Sequence, residues 1–547
     1  REREFTPFNL KEIENSLSLL RQAESEKNEK GEKIVALTCY DFSFANLLDK
    51  CSVDIILVGD SLGMVVKGQD TTLSVSIEEM IYHTRCVAAG VRNSILMADL
   101  PFATYQQSPE QAYSNASKLL EAGAKKTKIN LIKKINIMTV SVLIIGAGIT
   151  GISTAEFLRR EGAEVTLIDK IYPGDKNQTS FGNAGLLASS AIIPISSPGV
   201  WKKIPSYLFA KNSPLAINWY YLPKLMPWLI PFLKNTKREK FLSVVKSLQS
   251  LTYDSIEQHI KLAKGTKASK YIKLGNFTLL YSDKKDFLSD SFENGLREKY
   301  GFKIQGLNKQ DLLHKDPFLG DNYNYGAEFK NHGWLTSPGN YMKELAKHFE
   351  KQGGKIITEE VKNISGNKVQ TNLNNEFEAD KIVISAGAWS GQLLKYLDQK
   401  TNLETERGYH LILKNVNYMP KTPYAVKDLG FAITPMDNGL RCAGTTELGG
   451  LKASASYERI NILRNGIKKV YPKLEWEDED VWMGHRPTTP DCMPVIGQSD
   501  KFKNIYFAFG GQHIGLTIGP RIGQIVTDLI FGRKVNTSID EFRNSRF

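Results

Sequence analysis

Three glycines and an aspartate in the stretch TVSVLIIGAGITGISTAEFLRREGAEVTLIDK, residues 139–170, have the spacing of a turn that binds a dinucleotide. Gly146 allows a tight turn, Gly148 lets the backbone approach a pyrophosphate, and Gly151 lets a helix pack closely on the preceding strand. The amino end of that helix then faces the phosphates. Asp169 ends the next apolar strand, where a carboxylate accepts hydrogen bonds from ribose hydroxyls. The pattern predicts a dinucleotide-binding βαβ unit.

Segments rich in small residues further along the chain are candidates for other contacts with the dinucleotide. TSFGNAGLL (179–187) offers amides and hydroxyls, VISAGAWS (383–390) follows a meander and ends a strand, and FGGQHIGLTIGP (509–520) leads into another helix N-terminus. The predicted cofactor-binding residues are Gly146, Gly148, Ile149, Gly151, Asp169, Lys170, Thr179, Ser180, Asn183, Ala184, Gly185, Val361, Ala386, Gly387, Gly511, His513, Ile514 and Gly515.

Two carboxylates stand at strand ends in the first part of the chain. The segments IVALTCYD, DIILVGDSLG and SILMADLPF are apolar strands that alternate with amphipathic helices, as in parallel β/α units. Asp60 and Asp99 each follow such a strand, and two converging carboxylates suit a magnesium ion. Each aspartate alone also fits a helix N-cap, which is the commoner role for an aspartate in this position.

Composition limits the class of protein. The chain has 547 residues, 41% hydrophobic and 24% charged, which predicts two to four globular domains. The net charge is +12, but the lysines are scattered rather than clustered with aromatic residues, so no nucleic-acid partner is expected. Five cysteines without a CxxC pair argue against a disulfide framework or a zinc site and for a reducing compartment.

The expected location is the cytoplasm, and the alternative is a peripheral position at the inner membrane face. The chain opens REREFTPFNL, without the apolar segment of a signal peptide. The stretch WYYLPKLMPWLIPFL (219–233) is too short to span a bilayer and contains three prolines. It fits a buried or docking segment broken by proline, and the alternative is shallow contact with a membrane surface.

The first part of the chain resembles ketopantoate hydroxymethyltransferase. KIVALTCYDFSFANLLD, VDIILVGDSLGMVVKGQDTTLSVSIEEMIYHTR and ILMADLPFATYQQSPEQA carry the resemblance. It implies a TIM barrel in which Asp60 and Asp99 bind magnesium and Ser61 helps to hold a keto acid. After these segments the family has a lysine, an apolar residue and a metal-site glutamate. This chain has Lys128, Ile129 and Asn130, so the glutamate is missing.

Only about three and a half of the eight β/α units of a barrel are present before the run KKTKINLIKKIN. The predicted organisation is therefore a truncated barrel fragment (1–124) without hydroxymethyltransferase activity and with at most a vestigial magnesium site, a junction (125–137), and a second region that begins at Met138 (138–547).

The region 138–547 resembles the FAD-dependent amine oxidoreductases of the D-amino acid oxidase superfamily, most closely D-amino acid dehydrogenases. IIGAGITGIS, LIDK, TSFGNAG, VISAGAWS, RPTTPDCMPVIG and FGGQHIGLTIGP carry this resemblance in the family's order. It implies α/β and α+β architecture: a Rossmann-like FAD-binding domain, interleaved with a substrate domain built on a large antiparallel sheet.

The same resemblance implies how a substrate is held. Arg486, in GHRPTTPD, matches the residue that pairs with the substrate carboxylate, and a guanidinium does so bidentately. Tyr409 and His410, in ERGYHLIL, match a strand beside the substrate, where either could bind the carboxylate or shape the pocket. Hydride transfer to flavin needs no protein nucleophile, so no histidine base is expected.

The expected activity is oxidative deamination of a D-amino acid to a keto acid and ammonia, with electrons passed to a quinone or another acceptor. One alternative is an oxidase or dehydrogenase of glycine, sarcosine or D-hydroxyproline. Another is a nonfunctional fusion or an interaction scaffold, and bound flavin would exclude a wholly misfolded product.

Overall fold

The computed structural model of the protein describes residues 34–105, 109–124, 126–128, 140–199 and 215–547. The chain divides into two compact units, Arg1–Ile137 and Met138–Phe547.

The first unit is a run of parallel β/α pairs. Its strands are β1 (Ala36–Thr38), β2 (Ile55–Val58), β3 (Ile95–Asp99) and β4 (Lys126–Lys128), and its helices are α1 (Phe42–Lys50), α2 (Leu62–Val65), α3 (Ile77–Gly90) and α4 (Pro109–Glu121). The strands pair in that order and all pairs are parallel. Alternate residues of β2 and β3 join α3 in one core that includes Ile56, Val58, Leu96, Ala98, Met80 and Val87. This arrangement is a fragment of a TIM barrel, as predicted.

The second unit combines runs of consecutive strands with runs of consecutive helices. Its strands are β5 (Ser141–Ile145), β6 (Glu164–Asp169), β7 (Leu186–Leu187), β8 (Leu215–Ile217), β9 (Ile272–Tyr281), β10 (Ile304–Asn308), β11 (Tyr325–Leu335), β12 (Lys355–Thr358), β13 (Val361–Ser365), β14 (Lys368–Thr371), β15 (Glu376–Glu378), β16 (Lys381–Ile384), β17 (Glu404–Lys414), β18 (Tyr424–Val426), β19 (Phe431–Met436), β20 (Gly439–Leu448), β21 (Asp478–Thr488), β22 (Val495–Gln498) and β23 (Ile505–Phe509). Its helices are α5 (Ile149–Arg160), α6 (Leu222–Lys234), α7 (Arg238–Thr252), α8 (Ser255–Ala263), α9 (Lys284–Ser289), α10 (Ser291–Lys299), α11 (Lys309–Lys315), α12 (Pro338–Lys351), α13 (Ser390–Leu393), α14 (Ile460–Val470) and α15 (Gly515–Ile530).

The dinucleotide-type sheet of this unit has the order β12-β6-β5-β16-β23-β22. Pairs from β12 to β23 are parallel, and β22 is added antiparallel at one edge. The central strands read as continuous apolar runs and are buried, as expected for parallel strands covered on both faces. Helices α5 and α15 pack closely because Gly523 has no side chain. A Cβ at this position would lie only 2.8 Å from the amide nitrogen of Thr154.

The second sheet is large and carries the other half of the site. Its order is β10-β11-β9-β18-β19-β20-β17-β21, with β7 paired to β11 and β8 paired to β20. Most pairs are antiparallel, which confirms the predicted architecture, and β9–β18 and β8–β20 are parallel exceptions. Helix α14 packs its apolar face (Ile460, Leu463, Ile467) onto this sheet. Strands β13, β14 and β15 form a separate antiparallel meander, also as predicted.

The proline-rich stretch is not broken. Helix α6 begins with Pro223 in its first turn and continues through Pro227 and Pro231. Its buried side, which includes Trp228, packs on the protein, and this contact holds the helix together where proline removes backbone donors. The expectation of a segment broken by proline is therefore wrong. Among the described residues, no helix has the length and apolar character needed to cross a membrane.

Candidate active site

The glycine turn between β5 and α5 forms part of the wall of a cavity of about 270 Å³. Gly146 has φ of +108°, and a Cβ there would overlap the backbone of Ser385, which follows β16. A Cβ at Gly151 would overlap the carbonyl oxygen of Gly146. At Gly148, by contrast, a Cβ would meet only the Ser180 hydroxyl, at 3.4 Å. Two of the glycines therefore close the turn, and the third leaves backbone open to the cavity.

Asp169 joins this turn to the end of β6. Its Oδ2 accepts a hydrogen bond from the Ala147 amide (2.6 Å) and its Oδ1 accepts one from the Ile171 amide (3.3 Å). Burial raises the pKa of this carboxyl above its ordinary value, and the two amides act in the opposite direction. Lys170 places its Nζ 4.4 Å from the centre of the Trp389 ring. All of these residues except Ala147 line the cavity.

The loop 179–185 is fixed by hydrogen bonds to elements on both sides. The hydroxyl of Ser180 accepts from the Ile149 amide at the start of α5 (3.1 Å), and Thr179 donates to the carbonyl of His485 (2.8 Å). Asn183 donates through Nδ2 to the carbonyl of His513 (3.2 Å). The buried guanidinium of Arg441 donates to the carbonyl oxygens of residues 181 and 183. The loop is thus held between the two sheets.

The helix N-terminus at α15 also opens onto the first cavity. Gly511 and Gly515 line it, and a Cβ at Gly515 would meet no atom within 4 Å. Gln512 lies between them with φ of +53°, which is uncommon for a residue other than glycine. Two helix N-termini and a strand-end carboxylate around one cavity fit a ligand that carries phosphates and a ribose.

Most of the residues predicted to bind the cofactor line this cavity. They are Gly146, Gly148, Ile149, Asp169, Lys170, Thr179, Ser180, Asn183, Val361, Ala386, Gly387, Gly511 and Gly515. Ala184, His513 and Ile514 line a second cavity instead. Gly151 and Gly185 line neither of these two cavities; Gly151 packs against the turn, and the Gly185 amide donates to Asn183 Oδ1 (2.9 Å).

The second cavity, of about 490 Å³, lies against the large sheet. Thr179, Asn183 and Gln512 line both cavities, so the two spaces adjoin. The walls contributed by strands β9, β18, β19 and β20 are mainly apolar or small and include Leu279, Ala425, Val426, Phe431, Ala432 and Ala443. A ligand here would contact both an apolar surface and the group held in the first cavity.

Arg486, on β21, lines the second cavity. Its Nη1 donates to the Thr445 carbonyl (3.3 Å) and to the Thr446 hydroxyl (3.2 Å). Within the described part of the chain, Nε and Nη2 of this guanidinium have no hydrogen-bond partner. Gly408 on β17 makes room for the group, since a Cβ there would overlap it. Burial lowers the pKa of Arg486 and the nearby charge of Glu406 raises it.

A β-bulge in β20 supplies both acceptors for Arg486. The register between β17 and β20 shifts between Gly408 and Tyr409, which leaves Thr445 without an opposite residue. Thr445 has φ of +58°, an outlier for a β-branched residue. The Thr445 carbonyl and the adjacent Thr446 hydroxyl both accept from Nη1, so the bulge holds one side of the guanidinium and leaves the other side open.

Tyr409 and His410 have other partners. Tyr409 lines the second cavity, but its hydroxyl donates to Glu447 and accepts from the Ser456 amide (3.0 Å). His410 is buried outside both cavities, with Nδ1 3.0 Å from the carbonyl of Gly182. Burial, together with the charge of Arg441, lowers the pKa of His410 well below its ordinary value, so this ring is neutral. The structure therefore brings Tyr409 to the pocket wall and leaves His410 in a supporting position.

The comparisons with known proteins fit this geometry. Residues 141–529 match the family described as FAD dependent oxidoreductase. This match covers more than half of the chain. The chain belongs to the FAD-dependent oxidoreductase family. FAD contains the phosphates and the ribose that the first cavity suits.

Relatives of this FAD-dependent oxidoreductase match it along almost their whole length. A D-amino-acid oxidase from Bradyrhizobium diazoefficiens is 35% identical over 415 residues, covering 74% of this chain and 98% of the relative. A D-amino acid dehydrogenase from Helicobacter pylori is 26% identical over 402 residues, covering 72% of this chain and 95% of the relative. Glycine oxidase from Bacillus cereus has the same fold, with a TM-score of 0.56, 20% identity, and coverage of 73% of this chain and 97% of that one.

The first unit of this oxidoreductase chain matches a different family. Residues 20–152 match ketopantoate hydroxymethyltransferase, and overlap the first match over 141–152. A 3-methyl-2-oxobutanoate hydroxymethyltransferase from Thiobacillus denitrificans is 54% identical over 115 residues, which span 41% of that relative. In the structure, Ser141–Ile145 pairs within the sheet of the second unit, so the overlap belongs to the oxidoreductase fold.

The predicted magnesium ligands lie at the expected strand ends. Asp99 ends β3 and Asp60 follows β2, the adjacent parallel strand. Ser61 lies beside them, with its hydroxyl 2.8 Å from that of Tyr40. Across the described ranges, however, no group of three or more His, Cys, Asp or Glu is arranged to hold a metal ion. Ile129 and Asn130, where the family's glutamate is missing, lie outside the described residues.

Several site residues carry no role that could be predicted from the sequence. Thr446 and Gly408 support Arg486 but lie about 40 and 80 residues from it along the chain, so only strand pairing relates them. Trp482 lines the second cavity and stacks on His410 at 4.9 Å between ring centres. Gly182 and Gly484 both make space for this indole. The glycine two residues after Trp482 was the one local signal that a large side chain occupies that face.

Proposed function

We propose that residues 138–547 oxidise a D-amino acid at its α-carbon and yield, after hydrolysis, a keto acid and ammonia. Membership of the FAD-dependent oxidoreductase family supports the redox chemistry. The similarity to a D-amino-acid oxidase along 98% of that relative supports the substrate class. The observation that carries the proposal is the guanidinium of Arg486. One side of this group is open to the second cavity, which adjoins the first cavity.

The residues around the first cavity would hold FAD. Backbone at Gly148 and Ile149 and the helix N-terminus of α15 would meet the pyrophosphate, and Asp169 would meet the ribose. Thr179, Asn183 and Gln512, which line both cavities, would lie between cofactor and substrate. When bound, FAD supplies the two-electron acceptor that the protein's own side chains lack.

Arg486 would bind the substrate carboxylate through Nε and Nη2, the edge left open by the contacts of Nη1 with Thr445 and Thr446. A bidentate pair fixes two atoms of the substrate and so orients the Cα–H bond. The charge makes this bond stronger than a neutral hydrogen bond. Tyr409 would form the wall beside it, with its hydroxyl held by Glu447.

The rest of the second cavity would accept the substrate side chain. Leu279, Val426, Phe431 and Ala432 offer apolar contacts. The cavity of about 490 Å³ leaves space beyond what glycine or sarcosine would fill. We therefore place a D-amino acid with an apolar side chain ahead of these smaller amines. Loss of a hydride from Cα leaves an imine, and water converts the imine to the keto acid and ammonia.

We also propose that helix α6 lies against a membrane surface, where a quinone or another acceptor would receive the electrons. Trp219 and Tyr220, just before the helix, are 54% and 98% exposed, and Met226 and Ile230 are exposed on its outer side. Lysines at 224, 234 and 237 flank this apolar surface. Cosedimentation with anionic vesicles tests the contact: replacing Tyr220 and Ile230 by serine should abolish it, and unchanged binding would refute it.

For the first unit we propose no hydroxymethyltransferase activity. The matched segment spans 41% of the relative, and a barrel of this type needs eight β/α units to form its site.

The product assay tests the proposed reaction. FAD-loaded protein is incubated with D-alanine, D-proline, D-hydroxyproline, glycine, sarcosine or the L-enantiomers and an artificial dye as electron acceptor. With acyclic apolar D-amino acids such as D-alanine, we expect keto acid and ammonia in equal amounts. One molecule of a two-electron dye should be reduced for each keto acid formed. Dye reduction with glycine or sarcosine in preference to any D-amino acid would replace the proposed substrate class.

A further inference from the structure

Glu406 is a buried acid on the strand next to Arg486. In the antiparallel pairing of β17 with β21, Glu406 is directly opposite Arg486, so the two side chains start from the same face of the sheet. Glu406 is only 5% exposed, and its Oε2 is buried with no hydrogen-bond partner. A carboxyl group in this environment is costly to keep ionised unless a positive charge compensates it.

Arg486 is the cation that acts on this carboxyl, but the two groups are not in contact. No nitrogen of Arg486 lies within 4.0 Å of a carboxylate oxygen of Glu406 in the described structure, and Nη1 is committed to Thr445 and Thr446. Burial raises the pKa of Glu406, and the charge of Glu404 adds to that rise. The charge of Arg486 and, to a smaller extent, the nearby hydroxyl of Thr488 act in the opposite direction. The ionised form of Glu406 thus depends on a guanidinium that is also the proposed carboxylate site.

We propose that Glu406 takes up one proton from solvent when a carboxylate binds to Arg486. This inference rests on the proposed role of Arg486. A bound carboxylate brings a second negative charge to the guanidinium on which ionised Glu406 depends. The like charges then disfavour each other, and the neutral form of Glu406 relieves both the repulsion and the cost of burial. Glu406 is a positioning residue that does not line the cavity, and it makes ligand binding depend on pH.

The sign of the effect follows from linkage. If binding favours protonated Glu406, a proton favours binding by the same factor. The affinity for a carboxylate is then constant at low pH and falls about tenfold per pH unit between the pKa of Glu406 in the free protein and that in the complex. Substrate binding is strongest where Glu406 is already neutral.

Other titratable groups near this site act differently. His513 opens on the cavity, and desolvation and the charge of Arg486 lower its pKa to about 4, so it is neutral above pH 6. Burial raises the pKa of Cys492 to about 12, so this thiol stays protonated. Glu404 is the competing acid; burial raises its pKa, and it accepts a hydrogen bond from Tyr221. Glu404 therefore supplies the matched control.

The experiment measures proton uptake and affinity together. Propionate, which is ionised throughout the range, is titrated into the FAD-loaded full chain between about pH 6 and 8.5. Binding is followed by the flavin absorption, and proton uptake by a pH indicator in unbuffered solution. We expect uptake that approaches one proton per bound propionate in the wild type and in Glu404→Gln, and an affinity that weakens with rising pH. Glu406→Gln should show neither effect.

The outcomes separate this inference from the proposed function. In one outcome, propionate binds the wild type, binds Arg486→Gln more than tenfold less tightly, and causes no proton uptake by the wild type. This result would overturn the role of Glu406 and leave that of Arg486 in place. Uptake that persists in Glu406→Gln and vanishes in Glu404→Gln would assign the proton to Glu404 instead. Equal binding by the wild type and Arg486→Gln would refute the proposed carboxylate site itself, and the Glu406 inference with it.

Discussion

The guanidinium of Arg486 shows how one side chain is made specific for a planar anion. Its Nη1 donates hydrogen bonds to Thr445 and Thr446, and the opposite edge of the guanidinium faces the second cavity. Arginine is suited to this task because its donors form a rigid fork that matches a carboxylate. Gly408 is part of the same arrangement, since any larger residue would displace the group.

Replacement of Arg486 by Gln should mainly weaken substrate binding. Loss of a charged hydrogen-bonding pair costs about 1.5–3 kcal/mol, so KM for a D-amino acid should rise more than tenfold. Arg464→Gln is the matched control. Arg464 is 37% exposed and pairs with Glu479, which lies on β21 near the end opposite to Arg486. Steady-state kinetics of both variants decide the point; a KM that changes equally in the two variants would show that Arg486 has no special role.

The roles of some site residues could be predicted from the sequence, and those of others could not. Gly146, Gly151 and Asp169 belong to one local unit, so their spacing was sufficient to predict the turn. Thr446 and Gly408 act on Arg486 through strand pairing, and no local pattern marks them. The predicted roles of Tyr409 and His410 came from the family resemblance of their strand, and the structure shows that neighbouring strands and loops supply the partners of both residues.

At the scale of elements, strand β20 positions the site through its bulge. Thr446→Val removes one acceptor of Arg486 without changing the shape of the strand, so KM should rise about fivefold, equivalent to about 1 kcal/mol. Thr445→Gly keeps the carbonyl acceptor and suits the positive φ at that position, so its KM should stay unchanged. If Thr445→Gly raises KM as much as Thr446→Val does, the bulge acts in some other way than by holding the guanidinium.

The glycine turn and helix α5 make a second prediction at this scale. Gly151→Ala introduces a methyl group where the carbonyl oxygen of Gly146 lies, and should destabilise the protein by several kcal/mol and release FAD. Gly295→Ala, on α10, adds a methyl group in open space and should leave stability unchanged or raise it by about 0.5–1 kcal/mol. Thermal unfolding and bound flavin are measured for both; flavin retained at full stability in Gly151→Ala would contradict the geometry of the turn.

The elements themselves were predictable where their pattern was local. The βαβ unit, the meander and the parallel β/α run follow from apolar runs and turn residues. The course of α6 was not predictable, because proline ordinarily ends a helix and the compensating contacts of Trp228 come from the packed structure. The order of strands in the large sheet, including its parallel pairs, depends on segments far apart in sequence.

At the scale of the whole molecule, the protein consists of two units with separate cores. The residues of the first core all precede Met138, and those of the cores around the proposed site all follow it. A chain that begins at Met138 should therefore bind FAD in equal molar amount and retain kcat/KM within about twofold. Loss of flavin from this shortened chain would show that the oxidoreductase unit needs the preceding residues to fold.

A single turnover without oxygen tests the proposed oxidation of D-amino acids and the role of Arg486 together. FAD-loaded protein is mixed with D-alanine or L-alanine in a stopped-flow instrument, and the flavin absorption near 450 nm is followed. We expect rapid and complete bleaching by D-alanine, no bleaching by L-alanine, and bleaching by D-alanine in Arg486→Gln only at much higher concentration. Bleaching by L-alanine as fast as by D-alanine, or by D-alanine equally in wild type and Arg486→Gln, would contradict it.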